Sequence, residues 1–373
     1  MSGPRTALLT YSTKPRGGVV HTLALAEALV RAGARVSVWT LGRGGDRVFF
    51  RPVADGVDVR VVDFPTVAGE DVGARILRSI RVLGEGFRPH AGDYDVVHAQ
   101  DCISANAAGP CVRTVHHLDE FTTPELAACH ERALVEPFAH VCVSASVAAE
   151  LHAGWGLTAT VVPNGVDAAR FAAAAGPAAR ADRDRWRARF GTYVLAVGGI
   201  EPRKGSTDLL RAVALLRRDL PAVRLVVAGG ETLFDHRGYR EEFDALSREL
   251  DLAPDVLGPV EHGQLPSLVA GAAALGFVST REGFGLAAME ALAAGVPLVV
   301  RDLPVLREVF GDTALAARTP REIADALREA ITVPDPGRRE AGRALARAHT
   351  WDAAARAHLD LYARLPDRAA RGR

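Results

Sequence analysis

Short runs rich in β-branched and apolar residues alternate with longer stretches of helical periodicity from one end of the chain to the other. That alternation restricts the chain to an α/β design of parallel strands joined by crossover helices. In the first half, strands are expected at residues 7–11, 36–39, 57–62, 96–99, 113–115, 141–143 and 160–162. In the second half they are expected at 193–197, 224–228, 256–257, 276–279 and 297–300. Pro163-Asn164-Gly165-Val166-Asp167 closes the first set with turn chemistry, and an Ala- and Arg-rich linker plus helix follows over 168–190. The expected organisation is a domain over 1–167, a domain over 168–350, an amphipathic helix over 351–365 and a polar, disordered tail over 366–373. Trp351, Ala354, His358, Leu361 and Tyr362 fall near one face of that helix. Two Rossmann-like, doubly wound sheets facing each other would form a cleft, with ligands at the carboxyl ends of the strands.

The bulk properties exclude several classes. A chain of 373 residues suits two or three domains. Lys+Arg and Asp+Glu each number 45, and this balance argues against nucleic acid as a partner. The four cysteines, at 102, 111, 129 and 142, form no Cys-x-x-Cys pair, so neither a metal cluster nor a disulfide framework is expected. The N-terminus enters a strand pattern directly and lacks signal-peptide design, and no apolar run has the length of a membrane span. A cytoplasmic protein is the expectation.

One segment carries most of the chemistry: Arg281-Glu282-Gly283-Phe284-Gly285-Leu286-Ala287-Ala288-Met289-Glu290. Val278-Ser279-Thr280 reads as a strand end and residues 286–294 as a helix, so the Gly-Phe-Gly turn leaves backbone N–H groups at a helix N-terminus, ready for an anion. Glu282 precedes the helix and is free to accept hydrogen bonds from hydroxyls. Glu290 lies about two turns further in, where a carboxylate can take a vicinal hydroxyl pair. An anion between two hydroxyl-bearing groups describes a nucleotide-diphosphate sugar.

Strand 193–197 runs into Gly198-Gly199-Ile200-Glu201-Pro202-Arg203-Lys204-Gly205-Ser206, with a helix expected from Thr207. Arg203 and Lys204 thus stand at a strand end beside a helix start, where a fork and a point charge suit a diphosphate. The order of Lys and Gly is swapped relative to a triphosphate-binding P-loop; the bland alternative is a solvated basic turn. Near the start, Gly17 and Gly18 link the first strand to a helix beginning near His21, as a tight turn or a ligand loop. His116 and His117 follow strand 113–115, with Asp119 and Glu120 just beyond; at most one of the two imidazoles is expected to face a ligand.

Two Asp-x-Asp matches, Asp93-Tyr94-Asp95 and Asp182-Arg183-Asp184, lie at a strand start and in the linker helix, which are poor positions for a metal. Residues 74–83 alternate Arg75, Arg78 and Arg81 with apolar residues; this fits a plain surface helix, with weak peripheral membrane contact through the N-terminal domain as its other use.

With Gly-Gly-Ile-Glu-Pro-Arg-Lys-Gly and Glu-Gly-Phe-Gly-Leu-x-x-Met-Glu in place, the chain resembles glycosyltransferase family 4, retaining enzymes of the two-domain GT-B fold. The resemblance covers nearly the whole length, including the Gly17-Gly18 loop, residues 162–167, and Asp302-Leu303-Pro304 followed by Glu308. It implies a hexosyltransferase-type enzyme that moves a sugar from a nucleotide-diphosphate sugar to an acceptor hydroxyl. No cofactor and no metal are expected. Carried over by motif, Arg203 and Lys204 would bind the donor diphosphate and Glu282 the donor sugar. The amides from Phe284 through Gly285 to Leu286 would hold phosphate, and Glu290 the ribose. His116 would stand near the donor sugar, Gly199 would belong to the donor site, and Gly17 and Gly18 would approach the phosphates or line the acceptor side. The C-terminal helix would cross back to the N-terminal domain. Ala287 stands where the family often has proline, and Gly229-Gly230-Glu231-Thr232-Leu233-Phe234 replaces its usual Gly-x-Gly-Pro turn. Rival readings are a sugar-nucleotide epimerase or hydrolase on the same fold, and a non-catalytic sugar-nucleotide binder.

Overall fold

The computed structural model describes residues 3–118, 123–229 and 236–365. Asp119 and Glu120, most of the 229–234 turn and the tail from Pro366 onward lie outside them. The chain divides into two compact units: Met1–Gly165 together with Trp351–Arg373, and Val166–Thr350.

The strands of the first unit are β1 (Arg5–Leu9), β2 (Arg35–Arg43), β3 (Val57–Phe64), β4 (Val96–Ala99), β5 (Val112–Val115), β6 (Ala139–Cys142) and β7 (Thr160–Val161). They form a sheet in the order β3-β2-β1-β4-β5-β6-β7. Among the described residues every strand pairing in it is parallel. Parallel strands need both faces covered, and the side-chain alternation of β1 shows how. Leu8 joins one buried cluster with Val19, Leu23 and Tyr362, while Ala7 and Leu9 join another with Trp39, Phe87 and Ala105.

In the second unit β8 (Tyr193–Val197), β9 (Arg224–Ala228), β10 (Asp255–Gly258), β11 (Ala274–Phe277), β12 (Leu298–Arg301) and β13 (Leu315–Ala317) follow the order β10-β9-β8-β11-β12-β13. Both sheets therefore reverse direction once, between β1 and β4 and between β8 and β11. Such a reversal parts the loops that follow the two strands and opens a crevice at their carboxyl ends.

Three expectations need correction. The first helix begins at Gly17, not near His21. Neither Gly17 nor Gly18 has a positive φ, so the pair sits in ordinary helical backbone. The strand before the 281 motif, Ala274–Phe277, ends at Phe277, not at Ser279: the Val278 carbonyl accepts from Arg301 Nε at 2.8 Å instead of extending the ladder. β13 was not expected at all, because Leu-Ala-Ala carries no β-branched signal. The basic segment 74–83 lies inside a helix, Val72–Phe87, in which Arg78 binds Glu70 at 2.6 Å and Arg81 binds Glu85 at 3.0 Å. Among the described residues no helix is long and apolar enough to cross a membrane.

Candidate active site

The loops after β8 and β11 meet at the switch point of the second unit. After β8, Gly198 turns the chain with φ of 134°, and Pro202–Lys204 form one 3-10 turn. Gly205 then adopts φ of 63° and starts the helix Ser206–Leu216. Glycine is required at 205 on two counts: the left-handed backbone, and the Val278 carbonyl oxygen, which a Cβ would meet at 2.4 Å. Thr280 N donates to the Arg203 carbonyl at 2.8 Å, so the two loops are stitched together through backbone as well as side chains.

The predicted cations and the first glutamate are brought into contact. Lys204 Nζ lies 2.9 Å from Glu282 Oε2, and Arg203 Nη1 lies 3.5 Å from the same oxygen. Arg203 also donates to Glu201 Oε1 at 2.9 Å and to the Arg281 carbonyl at 3.3 Å. Lys204 Nζ sits 5.3 Å from the centre of the Phe277 ring. Glu201 is a member of this cluster that the sequence reading passed over; its place two residues before Arg203 was the available signal.

Gly285 takes φ of 103° and opens the helix Leu286–Ala293 with no side-chain cap. The amides of that first turn therefore have no side-chain acceptor at the cap, the arrangement that an anion can complete. A Cβ on Gly285 would press on the Phe310 and Phe277 rings at 3.0 and 3.2 Å. Phe284 is buried, its ring 5.7 Å from that of His349. Glu290 lies on the same helix. Burial, aided by Asp167 and opposed by Arg170, pushes its carboxyl up to about 7. Gly199 borders the cluster, and a Cβ on Gly229 would fall 2.7 Å from its nitrogen.

Gly17, Gly18 and His116 belong to the first unit. Gly18 and His116 are adjacent, with 3.7 Å from a Cβ on Gly18 to His116 Nε2, whereas a Cβ on Gly17 meets open space. His116, itself half-buried, joins the buried imidazoles of His21, His98 and His358 in a group that sequence reading missed, because its members are scattered along the chain. The His21 ring lies 4.8 Å from that of His116 and 5.3 Å from that of Trp351. His21 Nδ1 is 2.8 Å from Asn164 Oδ1, which gives the Pro-Asn-Gly turn a buried anchoring task. His98 links Tyr362 and Thr114 at 2.7 Å each. Burial holds all four imidazoles neutral: His21 falls to about 3, His358 to about 4, and His98 and His116 well below the usual range. His116 Nε2 meets no hydrogen-bond partner among the described residues.

Both Asp-x-Asp matches are occupied by ion pairs: Asp95 with Arg5 at 2.7 Å, and Asp184 with Arg180 at 3.4 Å. Cys111, Cys129 and Cys142 are buried free thiols, and Cys102 is half-buried.

Comparison with known proteins gives a consistent picture. Residues 182–347 match the family model of group 1 glycosyl transferases, and residues 15–170 match that of glycosyltransferase family 4. The chain is 31% identical to the D-inositol 3-phosphate glycosyltransferase of Kineococcus radiotolerans, covering 98% of this chain and 97% of that one. It is 29% identical to the phosphatidyl-myo-inositol mannosyltransferase of Mycolicibacterium smegmatis, covering 92% and 88%. Among solved structures, sucrose-phosphate synthase of Thermosynechococcus elongatus superposes with a TM-score of 0.78 at 20% identity over 96% of this chain and 98% of that one. HepE of Anabaena, in complex with UDP and glucose, gives 0.73 at 19% over 97% and 100%.

Proposed function

The chain belongs to glycosyltransferase family 4, with the GT-B fold of the group 1 glycosyltransferases that take sugar from a nucleotide sugar; on that premise we propose that it retains the anomeric configuration of the donor and works without a metal ion. The observation that carries this reading is the convergence of Arg203, Lys204 and the uncapped turn at Gly285 on one crevice. Preorganised cations and amides of this kind stabilise charge as it develops on a leaving diphosphate, the task a divalent ion performs elsewhere.

In this reading the diphosphate lies between Lys204 and the amides of Phe284, Gly285 and Leu286, with Gly199 allowing close backbone approach. Glu282, already positioned by Lys204, accepts hydroxyls of the donor sugar. Glu290 takes the ribose hydroxyl pair. His116, whose Nε2 meets no hydrogen-bond partner among the described residues, is assigned to the donor sugar by the family motif alone. The acceptor hydroxyl then attacks the face from which the diphosphate departs, and a leaving-phosphate oxygen takes its proton.

The test is product analysis after incubation with α-linked UDP-, GDP- and ADP-sugars and an acceptor panel, in buffer with chelator. UDP-sugars come first, because HepE was crystallised with UDP and with UDP-glucose. An α-linked product formed in chelator supports the reading. A β-linked product, or activity restored only by added divalent ion, overturns the corresponding half of it. Turnover of donor with no acceptor would instead identify a hydrolase or epimerase.

A further inference from the structure

The first unit has its own switch point, and its chemistry is unlike that of the second. β1 and β4 are neighbours, and the helices after them, Gly17–Arg31 and Cys102–Ala108, pack into the two opposite core clusters of the sheet. Tyr11 on the loop after β1 is tied to Asp101 on the loop after β4 by Tyr11 N donating to Oδ2 at 3.0 Å. The other Asp101 oxygen accepts from Ser104 N at 2.8 Å, so both oxygens already serve backbone amides.

Two guanidinium groups gather on the Tyr11 ring. The Arg16 and Arg43 carbons lie 5.5 and 5.3 Å from its centre, and Arg16 Nη1 donates to the Tyr11 hydroxyl at 2.7 Å. Arg43 donates to Ser79 Oγ at 3.0 Å. The Nε atoms of Arg16 and Arg43 are buried and meet no acceptor. Burial first, then the like charges of Arg16 and Arg75, bring the Arg43 guanidinium down to about 10, while Tyr11 and Asp101 act the other way. Lys14 and Arg78 carry carboxylate partners of their own, Asp46 at 2.7 Å and Glu70 at 2.6 Å. The Arg16 and Arg43 guanidinium groups thus gather beside one carboxylate, Asp101, whose two oxygens are already engaged by backbone amides. Partly buried cations held together without an anion are costly, and a planar fork with an idle N–H matches a tetrahedral or planar oxyanion.

We infer that this switch point binds an oxyanion carried by the acceptor, a phosphate monoester or a carboxylate, with Arg16 and Arg43 as its forks and the Tyr11 hydroxyl as a further donor. The inference rests on the reading of the chain as a transferase with a separate acceptor, and it narrows that acceptor to an acidic one.

The experiment is calorimetric titration of the full chain with inorganic phosphate and, separately, acetate, at constant ionic strength. The Lys204→Ala variant is the host, so that the cationic loop of the second unit does not compete. Binding of either anion is expected, weakened about tenfold or more by adding Arg43→Gln or Arg16→Gln. Thermal melts check that each variant is folded, and Arg43→Lys, which keeps a charge but loses the fork, should fall between. Tighter phosphate binding points to a phosphorylated acceptor, and tighter acetate binding to an acidic sugar. Absence of binding in the host, or affinities unchanged in both glutamine variants, overturns the inference and leaves the donor reading intact. UDP, GDP and ADP are titrated into the unmodified chain and into Arg43→Gln. A nucleotide affinity lost with Arg43 would make the cluster part of the donor site and also overturn the inference. Failure of every nucleotide to bind the unmodified chain would count against the donor reading alone.

Discussion

Lys204 and Glu282, 78 positions apart, form an ion pair of 2.9 Å that bridges the loops after β8 and β11. Both side chains are largely shielded, at 20% and 13% exposure, so the pair keeps more of its strength than a surface salt bridge would. The carboxylate holds the ammonium over the crevice before any ligand arrives.

Lys204→Ala should therefore lower kcat/KM by about a hundredfold or more, in the range found for loss of a preorganised donor to a developing anion. Arg203 remains 3.5 Å from Glu282 in that variant, so global stability should change little. Steady-state kinetics with the donor that turns over, alongside urea denaturation, separates the two effects.

Nucleotide affinity should rise with pH through about 7, because burial raises the Glu290 carboxyl to that value and hydroxyls bind its ionised form better. Binding should release a proton, visible as a dependence of calorimetric heat on buffer ionisation enthalpy. Glu290→Gln should flatten both the pH profile and the proton release. An unchanged profile in that variant would place the titration on another group.

Gly205→Ala should destabilise the second unit by about 1–3 kcal/mol, from left-handed backbone strain and the approach to the Val278 carbonyl. Gly154→Ala is the control. It lies in the helix Ala145–Trp155 with open space around its Cβ, and should be neutral or stabilising by up to about 1 kcal/mol. Urea denaturation of both variants measures the contrast.

Acid should unfold the first unit steeply. His21 and His358 have folded values depressed to about 3 and about 4, so above pH of about 6.5 both states are neutral and stability is unaffected. As pH falls below that, the unfolded chain gains protons that the folded one refuses. Stability then drops by about 1.4 kcal/mol per pH unit for each histidine until the folded value is reached. His358→Gln should reduce the slope of stability between about pH 6 and 5 by one proton.

The fold class was legible because parallel strands buried on both faces read as continuous apolar runs, as in Tyr193–Val197. The boundaries were less so. Val278 is apolar and β-branched, but its carbonyl is claimed by Arg301, a long-range contact without local trace. The meeting of Arg203 and Lys204 with Glu282 was legible because each of the two segments is compact in sequence and stands at a strand end. The imidazole group and the arginines around Tyr11 were not, since His21, His98 and His358, or Arg16 and Arg43, meet only through the sheet. Asn164 was read as turn chemistry; its buried contact with His21 shows a second task for the same residue.

The helix Trp351–Ala363 packs through Ala354, Ala355 and Tyr362 into the cluster that holds Val19, Leu23 and Leu8 of the first unit. The whole of the second unit lies between these partners in the chain. As the chain is made, part of one apolar face of the first sheet therefore waits for its cover until the whole second unit has been synthesised. A chain halted after Thr350 would hold all of the second unit and a first unit that lacks part of its core.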